Sequence, residues 1–390
     1  MVNTLQANIT TLGNVAKYIN GRAFKPSEWE ETGLPIIRIQ NLTDKKAKYN
    51  YTSLKHDDKF LVKNGDLLFA WSASLGAHIW QGNEAWLNQH IFKVLPYECI
   101  EKSYLYYFLC RVVSELYTKT HGSGMVHITK NMFINTPIPV PPIQDQKRIV
   151  ARIEELFSNL DSAVETLQKT KHQLEVYRQA VLREAFADCD TEVCLNEVCR
   201  HITDGDHMPP PKEEKGIPFI MISNIQNNII NWDNTAYVGE DYFSKINEKR
   251  TPKKGDVLYT VTGSFGIPVI IDFEKPFCFQ RHIALLRPND RILQKYLFYV
   301  LQSPQVYQQA KDKSTGTAQK TVGLNVLRKI EIPFVDNKSL QNDIVTALES
   351  KLTICDSIKQ TIDQSLQQAE AMRQSILKQA FEGGLYEKIE

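Results

Sequence analysis

The sequence predicts an α+β fold of two similar strand-rich domains, each followed by a long helix, the two helices forming an antiparallel coiled coil with pseudo-twofold symmetry. Three observations predict it. First, over residues 144–187 apolar side chains recur every seventh position at Ile153, Leu160, Leu167, Leu174 and Val181, with Val150, Phe157 and Val164 three residues before the first three. That is the a/d seam of a coiled-coil helix rather than the stripe of an ordinary surface helix. Second, the seam returns 195 residues later, with Val345 and Leu352 at a-type positions and Leu348, Cys355, Ile362, Ala369 and Ile376 at d-type positions. Third, the stretches ahead of the two helices share short blocks in the same order.

Those blocks begin with Leu12-Gly13-Asn14-Val15 against Leu195-Asn196-Glu197-Val198, and Gly33-Leu34-Pro35-Ile36 against Gly216-Ile217-Pro218-Phe219, both at an offset of 183. Gly65-Asp66-Leu67-Leu68 against Gly255-Asp256-Val257-Leu258 follows at 190, His90-Ile91 against His282-Ile283 at 192, and Gly122, Asn131 and Pro139 against Gly316, Asn325 and Pro333 at 194. The drift is monotonic, as a duplication with later insertions requires. Within each half, residues 36–39, 66–71 and 91–95, and 257–261, 269–272 and 283–286, are β-branched or aromatic runs bounded by Gly, Pro or Asn, and read as strands. Residues 104–118 and 295–311 have helical spacing. The run Pro137-Ile138-Pro139-Val140-Pro141-Pro142 cannot be helical and suits a sharp lead-in to the first long helix. Gly383-Gly384 suits the left-handed cap that ends the second. The expected divisions are therefore a domain over 1–143, a helix over 144–187, a domain over 188–338, and a helix with its tail over 339–390.

Length and composition admit this arrangement. A chain of 390 residues with 42 % hydrophobic content holds two or three ordinary cores. A net charge of +1 argues against a non-specific polycation and leaves room for a basic face balanced by an acidic one. The seven cysteines include no C-x-x-C pair, residues 1–15 lack a secretory pattern, and no apolar run approaches the roughly 20 residues that span a bilayer. A cytoplasmic chain with reduced thiols and no membrane partner is the expectation.

Catalytic signatures are missing. There is no GxxxxGK[ST] phosphate loop, and Met208-Pro209-Pro210-Pro211 lacks the polar and aromatic ends of the amino-methyltransferase motif. His121-Gly122-Ser123-Gly124 follows a helical stretch rather than a strand. Cys189, Cys194, Cys199 and His201 are spaced unlike any usual zinc site, so structural cysteines in a linker are the expectation, with no metal and no cofactor in this chain.

Recognition chemistry concentrates in loops. Glycine accompanies hydroxyl residues around Ser72 and Ser74, at Gly122-Ser123-Gly124, at Thr262-Gly263-Ser264 and at Ser314-Thr315-Gly316-Thr317, where backbone N–H and hydroxyl groups can approach phosphates. Basic residues lie at Lys45, Lys46 and Lys48, over 249–254 with Lys253 and Lys254, and at Lys311, Lys313 and Lys320; such runs also serve as solvated faces. Arg38, Asn41, Gln89, Asn224, Gln280 and Arg281 carry the bidentate chemistry that reads purine edges, although each could instead satisfy buried backbone. His90 and His282 hold equivalent positions, which favours a shared structural or phosphate-directed part over base reading.

The segment from Pro139 to Val150 resembles the P-x-P-P-hydrophobic-x-x-Q-x-x-I-V block of the specificity subunits of type I restriction–modification systems. Gly65-Asp66-Leu67-Leu68 resembles the glycine–aspartate strand of that family. The second copy departs at Pro333-Phe334-Val335-Asp336, where the double proline and the first glutamine are lost while Ile344-Val345 remains. The resemblance implies a DNA sequence-specificity subunit without an active site. Its target recognition domains, 1–143 and 188–338, would each read one half of a bipartite double-stranded DNA site. Its helices would set the unread spacer and dock two methyltransferase subunits, which use S-adenosylmethionine to methylate adenine; restriction subunits using ATP and Mg could join them. A prokaryotic cytoplasmic location follows. The DNA-binding candidates are Arg38, Asn41, Lys45, Lys46, Ser72, Ser74, Gln89, Ser123, His127, Asn224, Lys253, Lys254, Ser264, Arg281, Thr315 and Lys320. The helix-packing candidates are Ile153, Phe157, Leu160, Leu167, Leu174, Val181, Leu348, Leu352, Ile362 and Ile376. A coiled-coil scaffold that assembles partners without reading DNA is the alternative.

Elementary geometry is compatible with the first reading. Two like domains tied by two like helices pack most simply about a pseudo-twofold axis, which puts the helices antiparallel. A helix of about 42 residues spans on the order of 60 Å, and half-sites about 13 base pairs apart lie roughly 45 Å apart.

Overall fold

A computed structural model of the chain describes residues 8–44, 46–118, 129–189, 191–207, 210–317 and 319–383. It divides into two compact units, residues up to Leu167 together with those from Gln364 onward, and Gln168–Asp363. Each unit therefore contains one strand-rich domain and a stretch of both long helices.

In the first unit the strands are β1 (Asn8–Thr11), β2 (Ala16–Asn20), β3 (Leu34–Ile37), β4 (Asn50–Thr52), β5 (Leu61–Val62), β6 (Leu67–Ala70), β7 (Gly76–Ile79), β8 (Ala85–Leu87) and β9 (Ile91–Pro96), followed by helix α1 (Lys102–Thr118) and strand β10 (Pro137–Val140). They form an antiparallel sheet ordered β2-β9-β6-β7, a second sheet ordered β4-β3-β8-β5 with β3 and β8 parallel, and the closing pair β1-β10. Long helix α2 (Ile143–Glu184) leaves from β10. The second half repeats the plan. Its strands are β11 (Thr191–Cys194), β12 (Cys199–Asp204), β13 (Ile217–Ile220), β14 (Ile225–Gln226), β15 (Ile229–Ile230), β16 (Ala236–Val238), β17 (Val257–Thr260), β18 (Pro268–Ile270), β19 (Cys278–Phe279), β20 (Ile283–Pro288) and β21 (Glu331–Phe334). They give β12-β20-β17-β18, then β16-β13-β19 with β13 and β19 parallel, the closing pair β11-β21, and the small hairpin β14-β15. Helices α3 (Gln294–Val300) and α4 (Pro304–Asp312) precede the second long helix α5 (Lys338–Phe381).

The central strands β6 and β17 are buried at every position because they are covered on both faces. Alternation sorts their side chains: Leu67 and Phe69 of β6 join the core against α1, whereas Leu68 and Ala70 join the core of the second sheet. In β17, Val257 and Tyr259 join one core and Leu258 the other. The Gly-Asp blocks are turns feeding these strands. Gly65 and Gly255 sit at φ 85° and 99°, where a side chain is strained, and their N–H groups donate to Trp80 and Ile271, both at 2.8 Å. The following aspartates each accept from the N–H three residues back, Lys63 to Asp66 Oδ2 and Lys253 to Asp256 Oδ2, both at 2.8 Å.

Two departures from the sequence pattern have a clear local cause. The strand expected over 36–39 ends at Ile37, because Asn41 Oδ1 accepts the Arg38 N–H at 3.0 Å and turns the chain into the short helix Ile39–Thr43. The helical stretch expected over 295–311 is two helices. Pro304 cannot donate within a helix, so the chain breaks at Leu301–Ser303 and Pro304 starts α4 at its first turn.

The heptads have two environments. Ile153 and Val181, and likewise Leu348, Leu352 and Ile362, are buried; Phe157, Leu160, Leu167, Leu174 and Ile376 are half-buried. Ile153, Phe157, Ile376, Leu377 and Phe381 join the core of the first domain, and Val181, Leu182, Phe186, Val345, Leu348 and Leu352 that of the second. Cations that interrupt the seam meet acids across it. Arg373 pairs with Asp161 in the first unit; Lys171 pairs with Asp363 at 2.6 Å and Arg178 with Asp356 at 2.7 Å in the second. Within each unit the numbering rises on one helix as it falls on the other, so the paired segments are antiparallel. Exposed pairs of this kind contribute roughly 0–1 kcal/mol each, and their use is in register.

Where each long helix leaves its domain, the two halves build the same joint. Gln146 and Gln341 are fully buried. The Gln146 amide donates to Cys99 O at 3.0 Å and Pro141 O at 2.8 Å while accepting the Glu101 N–H at 2.7 Å. Gln341 donates to Arg291 O at 2.8 Å and Val335 O at 2.7 Å while accepting the Leu293 N–H at 2.8 Å. Beside them Tyr104 Oη donates to Pro139 O, and Tyr296 Oη to Pro333 O, at 2.9 and 3.2 Å. Phe381 packs edge-on against Tyr104, and Phe186 edge-on against Tyr296.

Candidate nucleic-acid interface

In the second domain three loops meet at one end of the β12-β20-β17-β18 sheet. Thr262-Gly263-Ser264 follows β17, Arg281-His282 precedes β20, and residues 314–317 and 319–322 lie across both. Main-chain bonds hold them together: Val261 N–H donates to His282 O at 2.9 Å, Gly263 N–H to Lys320 O at 2.9 Å, and Val322 N–H to Val261 O at 2.8 Å. Buried Thr260 braces the hydroxyl loop from below, donating to Ser264 O at 2.8 Å and accepting the Ile267 N–H at 2.9 Å. Thr315 and Thr321 exchange both main-chain bonds, at 2.9 and 2.7 Å, and Thr321 Oγ1 reaches Thr262 Oγ1 at 3.3 Å.

Two clefts open beside Arg281-His282. One, of about 410 Å³, is lined by Asp204, His207, Thr262, Arg281, Gln319 and Thr321 among others. The other, of about 300 Å³, is walled by Phe219, Met221 and Tyr237, with His207, Lys212 and Arg281 around them. Arg281 is exposed, and among the described residues no carboxylate pairs with it. The nearby acids are engaged. Asp204 pairs with His207 at 2.8 Å and Arg250 at 3.1 Å, and Asp206 accepts from Tyr242 Oη at 2.8 Å. Desolvation first, then the Arg281 charge, holds the His282 imidazole below its ordinary value. A free guanidinium between a hydroxyl-lined wall and an aromatic one has the chemistry to meet phosphates and base edges.

In the first domain the corresponding end of the β2-β9-β6-β7 sheet carries Trp71, whose N–H donates to His90 O at 3.1 Å, as Val261 does to His282. Its indole stands edge-on to His90, stacks on Phe92 and donates to Asn20 Oδ1 at 3.0 Å. Ala73 and His90 both adopt left-handed φ, 59° and 71°.

The sequence-selected residues fall into three groups. Ser264, Arg281, Thr315 and Lys320 come together in the second-domain cluster, and Ser72, Ser74 and Gln89 lie at the matching end of the first domain, Ser72 buried and the other two exposed. Arg38, Asn41, Lys46, Asn224, Lys253 and Lys254 lie elsewhere. Arg38 stands over Trp29 at 5.6 Å and reaches Asn50 at 3.4 Å, beside the second sheet. Asn41 and Asn224 are buried, and each is engaged by its own loop: Asn41 holds the Arg38 N–H with the Ala47 and Lys48 carbonyls, Asn224 the Met221 N–H with the Asn231 carbonyl. Both amides are thus taken up by backbone groups of their own loops, the second of the two uses that the sequence leaves open, and the shared offset of 183 is the signal that goes with it. Lys253 pairs with Glu248 at 2.6 Å and, with exposed Lys254, sits at the end of β17 remote from the cluster. Lys45, Ser123 and His127 lie outside the described residues. Thr262, from the glycine–hydroxyl loop expected to approach phosphates, lines one cleft, whereas His207, Lys212 and Thr321, which no sequence pattern marks, also line the clefts. No three His, Cys, Asp or Glu side chains gather as a metal site among the described residues, and no described helix is long and apolar enough to cross a membrane.

The family described as the type I restriction modification DNA specificity domain matches this chain twice, over residues 6–176 and 191–368. The chain belongs to that family. Among relatives, the type I restriction enzyme EcoBI specificity subunit of Escherichia coli is 25 % identical over 96 % of this chain and 85 % of its own. The MjaVIII specificity subunit of Methanocaldococcus jannaschii is 25 % identical over 84 % of this chain and 81 % of its own. A solved chain from work on complex assembly and conformational transition of the type I R-M system superposes with a TM-score of 0.70 at 20 % identity, covering 98 % of this chain and all of that one. That likeness is one of fold, and it extends over nearly the whole of this chain.

Proposed function

We propose that this chain is the DNA sequence-specificity subunit of a type I restriction–modification complex. The end of each domain that carries the hydroxyl loops reads one half of a bipartite double-stranded site, and the long helices set the unread spacer. The helices also dock two methyltransferase subunits; S-adenosylmethionine is bound by those subunits, and ATP and Mg by restriction subunits where they join. This chain contributes recognition and no catalytic group. The observation that carries the reading is Arg281, a free cation held between two clefts where loops from three parts of the second domain converge. Phosphate contacts position a reader and base contacts specify it, and this cluster offers groups for both.

Single-molecule sequencing of methyladenine in host DNA tests it. Exchange of residues 1–143 for those of a relative changes one half of a split methylated motif and leaves the other half as it was. Arg281→Ala lowers methylation of sites through the half read by the second domain, by roughly tenfold for a lost bidentate contact. Methylation indifferent to exchange of either domain would return the chain to the scaffold reading.

A further inference from the structure

We infer that Gln146 and Gln341 are positioning residues for half-site spacing: each locks the tilt of its recognition domain on the long helix, and so fixes how far apart the two half-sites are read. This rests on the proposal that the helices set the spacer. A glutamine amide has one carbonyl acceptor and two N–H donors, and the joint presents it with one N–H and two carbonyls. Those groups come from two places. Cys99 and Glu101 belong to the connection between β9 and α1, and Pro141 to the exit from β10; in the second half Arg291 and Leu293 precede α3, and Val335 follows β21. One buried side chain thus ties the first turn of each long helix to two separate segments of its domain.

The second half makes the same three bonds although its double proline is replaced by Val335-Asp336. The geometry is therefore independent of the prolines and belongs to the amide. A domain of this size extends on the order of 20 Å from such a joint. A tilt of about 10° at the joint then displaces its far end by roughly 3.4 Å, one base-pair step. A loosened joint should blur the spacer and leave the bases alone, an effect that general loss of stability does not produce.

The test uses the full chain with its methyltransferase subunits, reading methyladenine in host DNA. Gln146→Met and Gln341→Met keep side-chain length and remove all three bonds. The expected result is the parental half-site sequences separated by a mixture of spacers one base pair shorter and longer, with methylation at the parental spacing down by roughly tenfold. If a variant does not accumulate, Tyr104→Phe, which removes only the bond to Pro139 O, carries the same test with a smaller spread. A single unchanged spacer at undiminished methylation in the folded variants overturns the inference, and so does altered base identity in either half. Should the unsubstituted chain give no split motif, the functional proposal fails instead, and that arm is read first.

Discussion

In the first domain the carboxylate of Asp66, about a quarter exposed, meets Lys93 of β9 through a single contact of 2.9 Å. In the second, Asp256 is 2 % exposed and meets Arg287 of β20 through two bonds of 2.8 Å, with a further guanidinium bond to Thr251 O at 3.0 Å. The Gly-Asp turns around them are alike in every main-chain bond described above. A duplicated fold has kept its backbone chemistry and changed how a charge inside it is neutralised. The difference teaches that equivalence of position does not carry equivalence of energy. A fully buried carboxylate with a bidentate partner is strongly dependent on that partner, and one that water partly reaches is less so.

The sharpest way to break this comparison is to remove both cations. Arg287→Met leaves Asp256 charged and buried, and should lower stability by about 3–5 kcal/mol. Lys93→Met, at a site where water reaches Asp66 but where the lysine also donates to Leu61 O at 2.6 Å, should cost less, about 1–3 kcal/mol. Urea unfolding of the purified variants measures both. Equal losses would mean that burial does not separate the two turns.

The buried asparagines sharpen the comparison from the opposite side, as positions where the halves agree. Asn41→Ala and Asn224→Ala each strip a loop of its internal partner, and should cost about 1–3 kcal/mol apiece. The two losses should be similar, and the methylated motif should not change. A shift in the recognised bases with either substitution would give that amide a part in reading DNA that its present hydrogen bonds do not offer.

What could be read from sequence follows the same division. The duplication, the strands after Gly65-Asp66 and Gly255-Asp256 and both long helices were legible because they rest on spacing and on residues with restricted backbone chemistry. The break between α3 and α4 was marked by Ser303-Pro304, yet helical spacing on both sides hid it. Asn41 and Asn224 stayed ambiguous because an amide has the same donors and acceptors whether it meets adenine or a carbonyl; burial separates the two uses, and burial is tertiary. For the same reason Gln341 passed unremarked as the twin of Gln146, since its partners are main-chain groups of distant segments. The convergence of Ser264, Arg281, Thr315 and Lys320 depended on strand order. Adjacent β17 and β20 bring together loops that the sequence keeps apart.

The smallest expected effect concerns a position where the halves differ in titration. His78 on β7 stands opposite Leu68, and the structurally equivalent residue, Val269 on β18, stands opposite Leu258. Burial holds the His78 imidazole below its ordinary value, whereas Val269 has nothing to titrate. The unfolded chain therefore binds a proton at His78 more readily than the folded one, and stability falls as pH drops below the unfolded value of about 6.5. The loss levels off once the folded state is protonated as well. Above that window the group contributes no pH dependence. His78→Val makes the first domain resemble the second at this site, so urea midpoints of the variant should decline less between about pH 6.5 and 5 than those of the parent. His56 and His282, also held low by desolvation, keep their share, so the slope should shrink rather than vanish. An unchanged slope would show that the proton finds water at His78 in the folded chain, and that the two strands are equivalent in electrostatics as well as in register.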